Sequence, residues 1–291
     1  MHYEGPIYRP PSEAHSLLIQ ATIGCPHNKC TFCMVYKQGP AYKIRPVADI
    51  KADIDEAREQ LGPHVPTIFF PAGNTIAMPT PDLAEICRYA RTRFTGCRRI
   101  TVYGSSQFLA AKGRQELDIL YQAGLSRIHV GLESGDDIIL HRTKKGADAA
   151  THIRGCRAAI EAGLELSAYV VLGLGGQDRT APHTRRTTEL LNRIQPHFVR
   201  LRTFVPKIHT LMLYQVRKGR FDMLTPHQVL EEIKGLISGI DFPTEVASDH
   251  YTNYLDVSGR LPQERPRLLD VIEQGLQRPE TDFRPFFVGR Q

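Results

Sequence analysis

The chain has 291 residues, of which 41% are hydrophobic, and 37 basic against 31 acidic residues give it a net charge of +6. This length can form one α/β barrel or two smaller domains. No apolar run of about 18 residues is present, so no transmembrane helix is predicted, and the first residues lack the basic and apolar parts of a signal peptide. We therefore expect a cytoplasmic protein with no membrane partner, whose six cysteines are thiols or metal ligands.

Three cysteines lie close together after the first predicted strand. Cys25, Cys30 and Cys33 have the spacing Cys-x4-Cys-x2-Cys. Three thiolates at such spacing can hold three irons of a [4Fe–4S] cluster and leave the fourth iron open to a small molecule. A zinc site that recruits His27 or a distant ligand, or three unrelated buried cysteines, would explain the same pattern. Phe32, directly before the third cysteine, could pack against a flat ring.

Beyond the cysteines, short apolar runs alternate with amphipathic stretches. Further strands are predicted at residues 67–72, 99–104, 127–133, 164–172 and 198–205, and helices at 47–57, from an N-cap at Thr80, and at 116–121, 148–162 and 184–194. With the strand before the cysteines, this makes six strands that alternate with helices, which favours parallel β/α units. The periodicity does not separate an open barrel from a doubly wound sheet.

The regular alternation of predicted strands and helices ends at Pro206. A helix is predicted from Thr225 to about Ile240, a short strand at residues 244–248 and a final helix at residues 265–276. This segment has few core residues of its own. We therefore expect residues 206–291 to form a C-terminal cap packed on residues 1–205.

The carboxyl ends of parallel strands are where such folds bind ligands. The second strand ends in Ala72, Gly73 and Asn74, where the glycine lets a ligand approach the backbone closely, although a plain turn would look the same. The fourth strand ends at Glu133, which is costly to bury unless it is paired. Lys145 follows it and is either a functional residue or a solvated charge.

The fifth strand ends in a glycine-rich turn from Gly173 to Gln177. A Gly-x-Gly-Gly turn can cradle a phosphate or merely reverse the chain. The remaining cysteines lie on separate predicted elements and show no spacing of a second cluster, so we expect them to be buried: Cys87, Cys97 and Cys156.

Taken in order, these segments resemble the radical S-adenosylmethionine superfamily over residues 15–205. Its signature is Cys-x3-Cys-x2-Cys with an aromatic residue before the last cysteine, and this chain has one more residue between Cys25 and Cys30. The segment from Gly131 to Gly135 is similar to that of members related to oxygen-independent coproporphyrinogen oxidase and the methylthiotransferases. The resemblance implies an α/β fold, a partial (β/α)6 TIM-like barrel.

The resemblance also implies the cofactors and the residues that hold them. A [4Fe–4S] cluster on Cys25, Cys30 and Cys33 would bind S-adenosylmethionine and cleave it reductively to a 5′-deoxyadenosyl radical, which abstracts hydrogen from a substrate. The cluster would be reduced by an electron donor such as flavodoxin or ferredoxin. The cofactor-binding residues implied are Phe32, Ala72, Gly73, Asn74, Glu133, Lys145, Gly173 and Gln177.

The substrate is the least determined point. A radical enzyme acting on a small metabolite, one that modifies RNA or protein, and a non-catalytic iron–sulfur or zinc protein all stay open. The net charge of +6 permits nucleic acid, but the basic residues are spread along the chain. Arg200 and Arg202, on one side of the sixth strand, can bind carboxylates or phosphates. Because a radical needs shielding from solvent, we expect a closed pocket and a small anionic substrate rather than RNA.

Overall fold

The computed structural model describes residues 1–290 and shows a mixed α/β fold. The strands are β1 Leu17–Leu18, β2 Thr22–Ile23, β3 Lys43–Ile44, β4 Thr67–Phe70, β5 Arg99–Gly104, β6 Arg127–Glu133, β7 Glu165–Leu172, β8 Phe198–Thr203, β9 Thr244–Ala247 and β10 Gly259–Leu261. The helices are α1 Val47–Leu61, α2 Thr80–Arg93, α3 Ser106–Gln122, α4 Asp137–Arg142, α5 Ala149–Glu161, α6 Thr180–Ile194, α7 Leu211–Arg217, α8 Pro226–Gly239 and α9 Arg265–Leu276.

Eight of these strands form one sheet in the order β1-β4-β5-β6-β7-β8-β9-β10, while β2 and β3 pair separately. The pairs from β1 to β6 and from β7 to β9 are parallel, and β10 is antiparallel to β9. Parallel neighbours joined through helices are typical of β/α units. The fold agrees with the predicted partial TIM-like barrel, and the sheet continues beyond the six predicted barrel strands.

The chain divides into two compact units. The first comprises residues 1–28, 35–130 and 154–166, and the second comprises residues 29–34, 131–153 and the chain from Ser167 onwards. In the first unit, the core includes Phe69 and Phe70 of β4 and Ile100 of β5, all fully buried. In the second, alternate residues of β7 such as Ala168 and Val170 are fully buried. The predicted cap boundary at residue 206 stays a prediction.

Several elements differ from the sequence-based expectations. Helix α3 begins at Ser106, ten residues before the predicted start, and is kinked at Gly113, whose φ of 67° is not helical. The elements α4, α7, β2, β3 and β10 were not predicted. The six-residue α4 and seven-residue α7 span fewer than two helical turns, which is too short for an apolar spacing to repeat. Thr80 is the first helical residue rather than the N-cap, because its hydroxyl bonds Glu116 and Lys112 instead of a backbone amide.

Within residues 1–290 no helix combines the length and apolar character needed to cross a membrane.

Candidate active site

The segment that carries Cys30 and Cys33 is held in place by two backbone hydrogen bonds of Thr31, one from its amide and one to its carbonyl. The Thr31 amide donates to the Thr143 carbonyl (2.9 Å), and the Thr31 carbonyl accepts from the Met212 amide (3.1 Å). Both cysteines remain half-buried and are not in disulfides. Their thiols are therefore placed on an ordered segment with access to a ligand.

Phe32, between these cysteines, is half-buried and packs against an apolar cluster within the second unit. The cluster consists of Ile139, Leu174, Phe204 and Met212. Leu174 directly follows Gly173, so the aromatic residue of the cysteine motif and the turn after β7 share one apolar neighbourhood. The predicted stacking of Phe32 on a cofactor ring stays a prediction.

Glu133 and Lys145, each predicted as a candidate cofactor-binding residue, form an ion pair with one another. Lys145 Nζ lies 2.9 Å from Glu133 Oε1, and their side chains are 10% and 12% exposed. Glu133 has a φ of 67°, in the left-handed region that non-glycine residues rarely adopt. A Cβ atom at Gly131 would lie 2.1 Å from Glu133 Oε1, so the carboxylate occupies space that only a glycine two residues earlier leaves open.

Lys145 also lies within electrostatic reach of two cysteines. Burial lowers the pKa of its ammonium group, but the negative charges of Glu133, Cys30 and Cys33 prevail, and the net pKa is raised above its ordinary value. The ammonium group is therefore charged at neutral pH. Within the second unit, the structure brings together four of the predicted site residues.

In the first unit, the turn after β4 packs against Cys25. The Gly73 amide donates to the Gly24 carbonyl at 3.0 Å. A Cβ atom on Gly73 would lie 2.6 Å from the Cys25 Cβ and 2.8 Å from the Tyr36 ring, which leaves no room for a larger residue. Ala72, with a φ of 106°, has a backbone conformation unusual for a non-glycine residue. This strand end is therefore fixed beside the first cysteine.

Asn74 in the same turn has one amide atom that is satisfied and one that is not. Its Nδ2 donates to Ser105 Oγ at 2.9 Å, whereas the buried Oδ1 has no partner among residues 1–290. Buried polar atoms are nearly always hydrogen-bonded, so an exception points to a ligand or a water. An acceptor of this kind fits a ligand that donates a hydrogen bond.

Gly173 and Gln177 are placed differently from each other. Gly173 has a φ of +74° and is buried, and its amide donates to the Glu232 carboxylate. The Gln177 side chain is exposed and donates to the Met223 carbonyl at 3.0 Å. Sequence reasoning missed Glu232, although a charged residue inside the apolar run of α8 was a detectable signal.

The remaining predictions concern the cysteines. Cys87 and Cys156 are fully buried and Cys97 is 7% exposed, as expected. Among residues 1–290, no three His, Cys, Asp or Glu side chains are grouped so that they could hold a metal ion as they stand. The assignment of Cys25, Cys30 and Cys33 as cluster ligands therefore stays a prediction. Thiols are the donors that iron–sulfur clusters require, so the residues fit the group by their chemistry.

Comparison with known proteins identifies the family. The sequence model of the Radical SAM superfamily matches residues 19–187, which is more than half of the chain. No curated protein matches it at a significant level.

Three solved structures illustrate the fold. Coproporphyrinogen III oxidase (HemN) from Escherichia coli is similar with a TM-score of 0.55 and 17% identity, over 77% of this chain and 51% of that one. The radical S-adenosylmethionine methyltransferase TsrM from Kitasatospora setae, solved with cobalamin and a [4Fe–4S] cluster, has a TM-score of 0.57 and 18% identity, over 70% of this chain and 39% of that one. Methylornithine synthase (PylB) has a TM-score of 0.52 and 12% identity, over 92% of this chain and 84% of that one. The chain thus spans about half or less of the first two proteins.

The protein is a partial β/α barrel, with thiols and a paired carboxylate near the carboxyl ends of its strands. This arrangement is typical of a barrel enzyme that depends on a cofactor. The chain belongs to the Radical SAM superfamily, as the order of its motifs predicted. Enzymes of this superfamily use a [4Fe–4S] cluster together with S-adenosylmethionine.

Proposed function

We propose that the protein abstracts a hydrogen atom from a small anionic metabolite in the cytoplasm, with a small redox protein such as flavodoxin or ferredoxin as its electron donor. When bound, the cluster and S-adenosylmethionine supply the one-electron chemistry. The proposed cluster ligands are Cys25, Cys30 and Cys33, and the proposed cofactor-binding residues are Phe32, Ala72, Gly73, Asn74, Glu133, Lys145, Gly173 and Gln177. The protein's part is to orient these groups and to exclude water.

The Glu133–Lys145 pair supports this assignment of the cofactor. A carboxylate can accept hydrogen bonds from the two hydroxyls of a ribose, and an ammonium group can bind the carboxylate of a methionine. The two side chains are nearly buried, so such bonds would form away from bulk water, where they are stronger. The Asn74 Oδ1 acceptor and the narrow turn at Gly73 suit an amine that approaches the backbone.

The observation that carries the substrate class is the environment of Arg200 and Arg202 on β8. Arg200 is 9% exposed and its Nε donates to Ser167 Oγ at 3.1 Å. Arg202 Nη2 lies 3.0 Å from His250 Nε2 and must be the donor, because a guanidinium group has no acceptor. Within the described chain, neither arginine forms an ion pair with a carboxylate. Two such guanidinium groups favour an anionic ligand.

His250 adds to this preference. Burial, and then the positive charges of Arg202 and Lys207, lower the pKa of its imidazole to about 4. The ring is therefore neutral at physiological pH, and it contributes no negative charge to balance the two cations. An anionic substrate would supply the missing charge.

An exposed aromatic group beside these residues favours the second candidate, an enzyme that modifies RNA. Tyr251 is 60% exposed, and Lys207 Nζ lies 5.7 Å from its ring centroid. Aromatic rings and cations together bind nucleotides by stacking and charge. This surface is small, and Arg200 is too buried for a polymer backbone, so we rank the small anion first.

The test measures 5′-deoxyadenosine formed by the anaerobically reconstituted enzyme. One reaction receives the small-molecule fraction of a cell extract that an anion exchanger retains, and a parallel reaction receives total tRNA. We expect product with the anionic fraction, and about tenfold less with Arg202→Gln, because an arginine bond to an anion is lost. The matched control is Arg185→Gln, whose side chain is 69% exposed on α6. Product that depends on tRNA, with binding that weakens steeply as salt rises, would overturn the proposal.

A further inference from the structure

Glu232 is a carboxylic acid in the middle of α8 and is only 1% exposed. Its Oε2 accepts a 2.7 Å hydrogen bond from the Gly173 amide, at the turn that follows β7. Glutamates are rarely buried completely unless something pairs with them. An apolar residue at this position would normally pack better, so the carboxyl group has a role other than filling the core.

His183 on α6 lies next to this carboxyl group and is also fully buried. Its Nε2 is 3.8 Å from Glu232 Oε2, and its Nδ1 is 2.8 Å from Ser134 Oγ. Thr187, one turn further along α6, accepts a 2.9 Å hydrogen bond from the Gly135 amide. The two residues that directly follow Glu133 are therefore bound by the same helix that carries His183.

These contacts form a chain of buried polar groups between two strand ends. One end is the Gly173 amide after β7, and the other is Ser134, the neighbour of Glu133 after β6. Burial raises the pKa of Glu232 to about 8 and lowers that of His183 to about 4. At neutral pH both groups are therefore uncharged, so their 3.8 Å contact is not an ion pair.

Glu232 Oε1 has no hydrogen-bond partner among the described residues. His183 Nε2 is likewise buried without a hydrogen-bond partner. Glu232 and His183 therefore meet by a close contact of 3.8 Å rather than by a hydrogen bond.

We propose that Ser134, His183 and Glu232 are positioning residues, which hold the Glu133 and Gly173 strand ends in the one mutual arrangement that S-adenosylmethionine requires. The inference rests on the proposed placement of the cofactor at Glu133 and Gly173. A pair of strand ends held only by loops would have to be ordered on binding, and this ordering would weaken affinity. The polar chain makes the arrangement available before the cofactor arrives.

Hydrogen–deuterium exchange of the protein without S-adenosylmethionine gives the first readout. In Glu232→Leu the Gly173 amide loses its acceptor, so the peptide that spans residues 171–178 should exchange faster. In Glu232→Gln a carbonyl oxygen is retained, and exchange should stay close to that of the wild type. If Glu232→Leu does not fold, Ser134→Ala decides the question, because it removes a bond at the far end of the chain and should still speed exchange at Gly173.

Calorimetric titration of the cluster-loaded protein with S-adenosylmethionine gives the second readout. Ser134 Oγ bonds His183 Nδ1 and also accepts a 3.0 Å hydrogen bond from the Asp136 amide. We expect Ser134→Ala, which removes both bonds, to raise Kd at least about fivefold. The matched control is Thr244→Val, which removes a buried hydroxyl that bonds the Pro196 carbonyl at 2.9 Å, outside the polar chain. It should change neither Kd nor exchange at Gly173.

Two results separate failure of this inference from failure of the cofactor site. If Ser134→Ala and Glu232→Leu fold but alter neither exchange at Gly173 nor Kd, the positioning role is wrong. If Glu133→Ala also leaves Kd unchanged, the cofactor is not bound at this strand end at all. The positioning role toward the cofactor then falls with it.

Discussion

Lys145 Nζ donates a 2.9 Å hydrogen bond to Glu133 Oε1, and the same ammonium group is within electrostatic reach of Cys30 and Cys33. The second unit therefore places a nearly buried ion pair within electrostatic reach of two half-buried thiols. Hydrogen bonds that a ligand makes to this pair would form largely away from bulk water, where they are stronger.

Replacing either member of this pair should weaken cofactor binding. Glu133→Ala and Lys145→Ala each remove a hydrogen bond to a charged partner, which costs on the order of 1.5–3 kcal/mol, or roughly ten- to a hundredfold in Kd. The iron content should stay that of the wild type. Calorimetric titration with S-adenosylmethionine measures the effect, and unchanged affinity in both variants would place these residues outside the site.

Gly131→Ala should disturb the same pair without unfolding the protein. The new Cβ would meet Glu133 Oε1 at 2.1 Å and Lys145 Nζ at 2.9 Å, which are the flexible ends of two side chains. They can move aside, so we expect thermal stability within a few degrees of the wild type and cofactor affinity reduced about tenfold. Gly39→Ala, whose nearest contact would be 3.7 Å, is the control and should bind normally. Normal binding by Gly131→Ala would contradict the assigned geometry.

The cysteine motif should account for all of the iron. Anaerobically reconstituted protein should hold about one four-iron cluster per chain, and Cys→Ala at Cys25, Cys30 or Cys33 should abolish it. Cys156→Ala is the matched control, because this cysteine is fully buried beside Ser106 and should be dispensable. Iron analysis and visible absorption report the outcome. Stoichiometric zinc without iron would show that the motif is a zinc site.

Gly73→Ala tests the strand end beside Cys25. Its Cβ would lie 2.6 Å from the Cys25 Cβ and 3.0 Å from the Gly24 carbonyl oxygen, and backbone cannot move aside as a side-chain end can. We expect a loss of about 1–3 kcal/mol in unfolding free energy, as for overpacking in a core, together with reduced iron retention. Denaturant unfolding and iron analysis measure both. Stability and iron equal to those of Gly39→Ala would contradict the predicted clash.

Stability should fall as the pH rises from about 4.5 to about 8 because of Glu232. Burial raises the pKa of this carboxyl group from 4.5 to about 8, more than the hydrogen bond from Gly173 lowers it. The folded state therefore retains a proton that the unfolded state releases, and the resulting stability is complete below pH 4.5 and is lost as the pH rises through about 8. His183, with a pKa of about 4, does not titrate near pH 8. The other charged residues that line the groove between α6 and α8, where Glu232 lies, are Arg185, Glu189 and Glu231.

Glu232→Gln cannot ionise, so its unfolding free energy should decline less between about pH 5 and about pH 8, by about 1 kcal/mol per pH unit. Denaturant unfolding at several pH values measures this difference. Parallel pH curves for the wild type and Glu232→Gln would show that the carboxyl group is not buried in its neutral form.

The sequence was informative where a local pattern reports a local structure. The β/α alternation predicted the parallel sheet, and Glu133 at the end of an apolar strand predicted a partner, which Lys145 provides. The Glu232–Gly173 contact joins residues 59 positions apart, and no periodicity in either segment records it. Short helices such as α4 were missed because six residues do not complete two helical turns.

The two backbone bonds of Thr31 bear on how the protein acquires its metal. Because they hold Cys30 and Cys33 in place through residues outside the motif, this part of the loop does not need iron in order to be structured. Iron would then bind to two thiols that are already in place. The entropy cost of ordering that segment would not reduce the free energy of metal binding. Protein produced without iron should accordingly accept a cluster after purification, because the segment with Cys30 and Cys33 is structured before the metal binds.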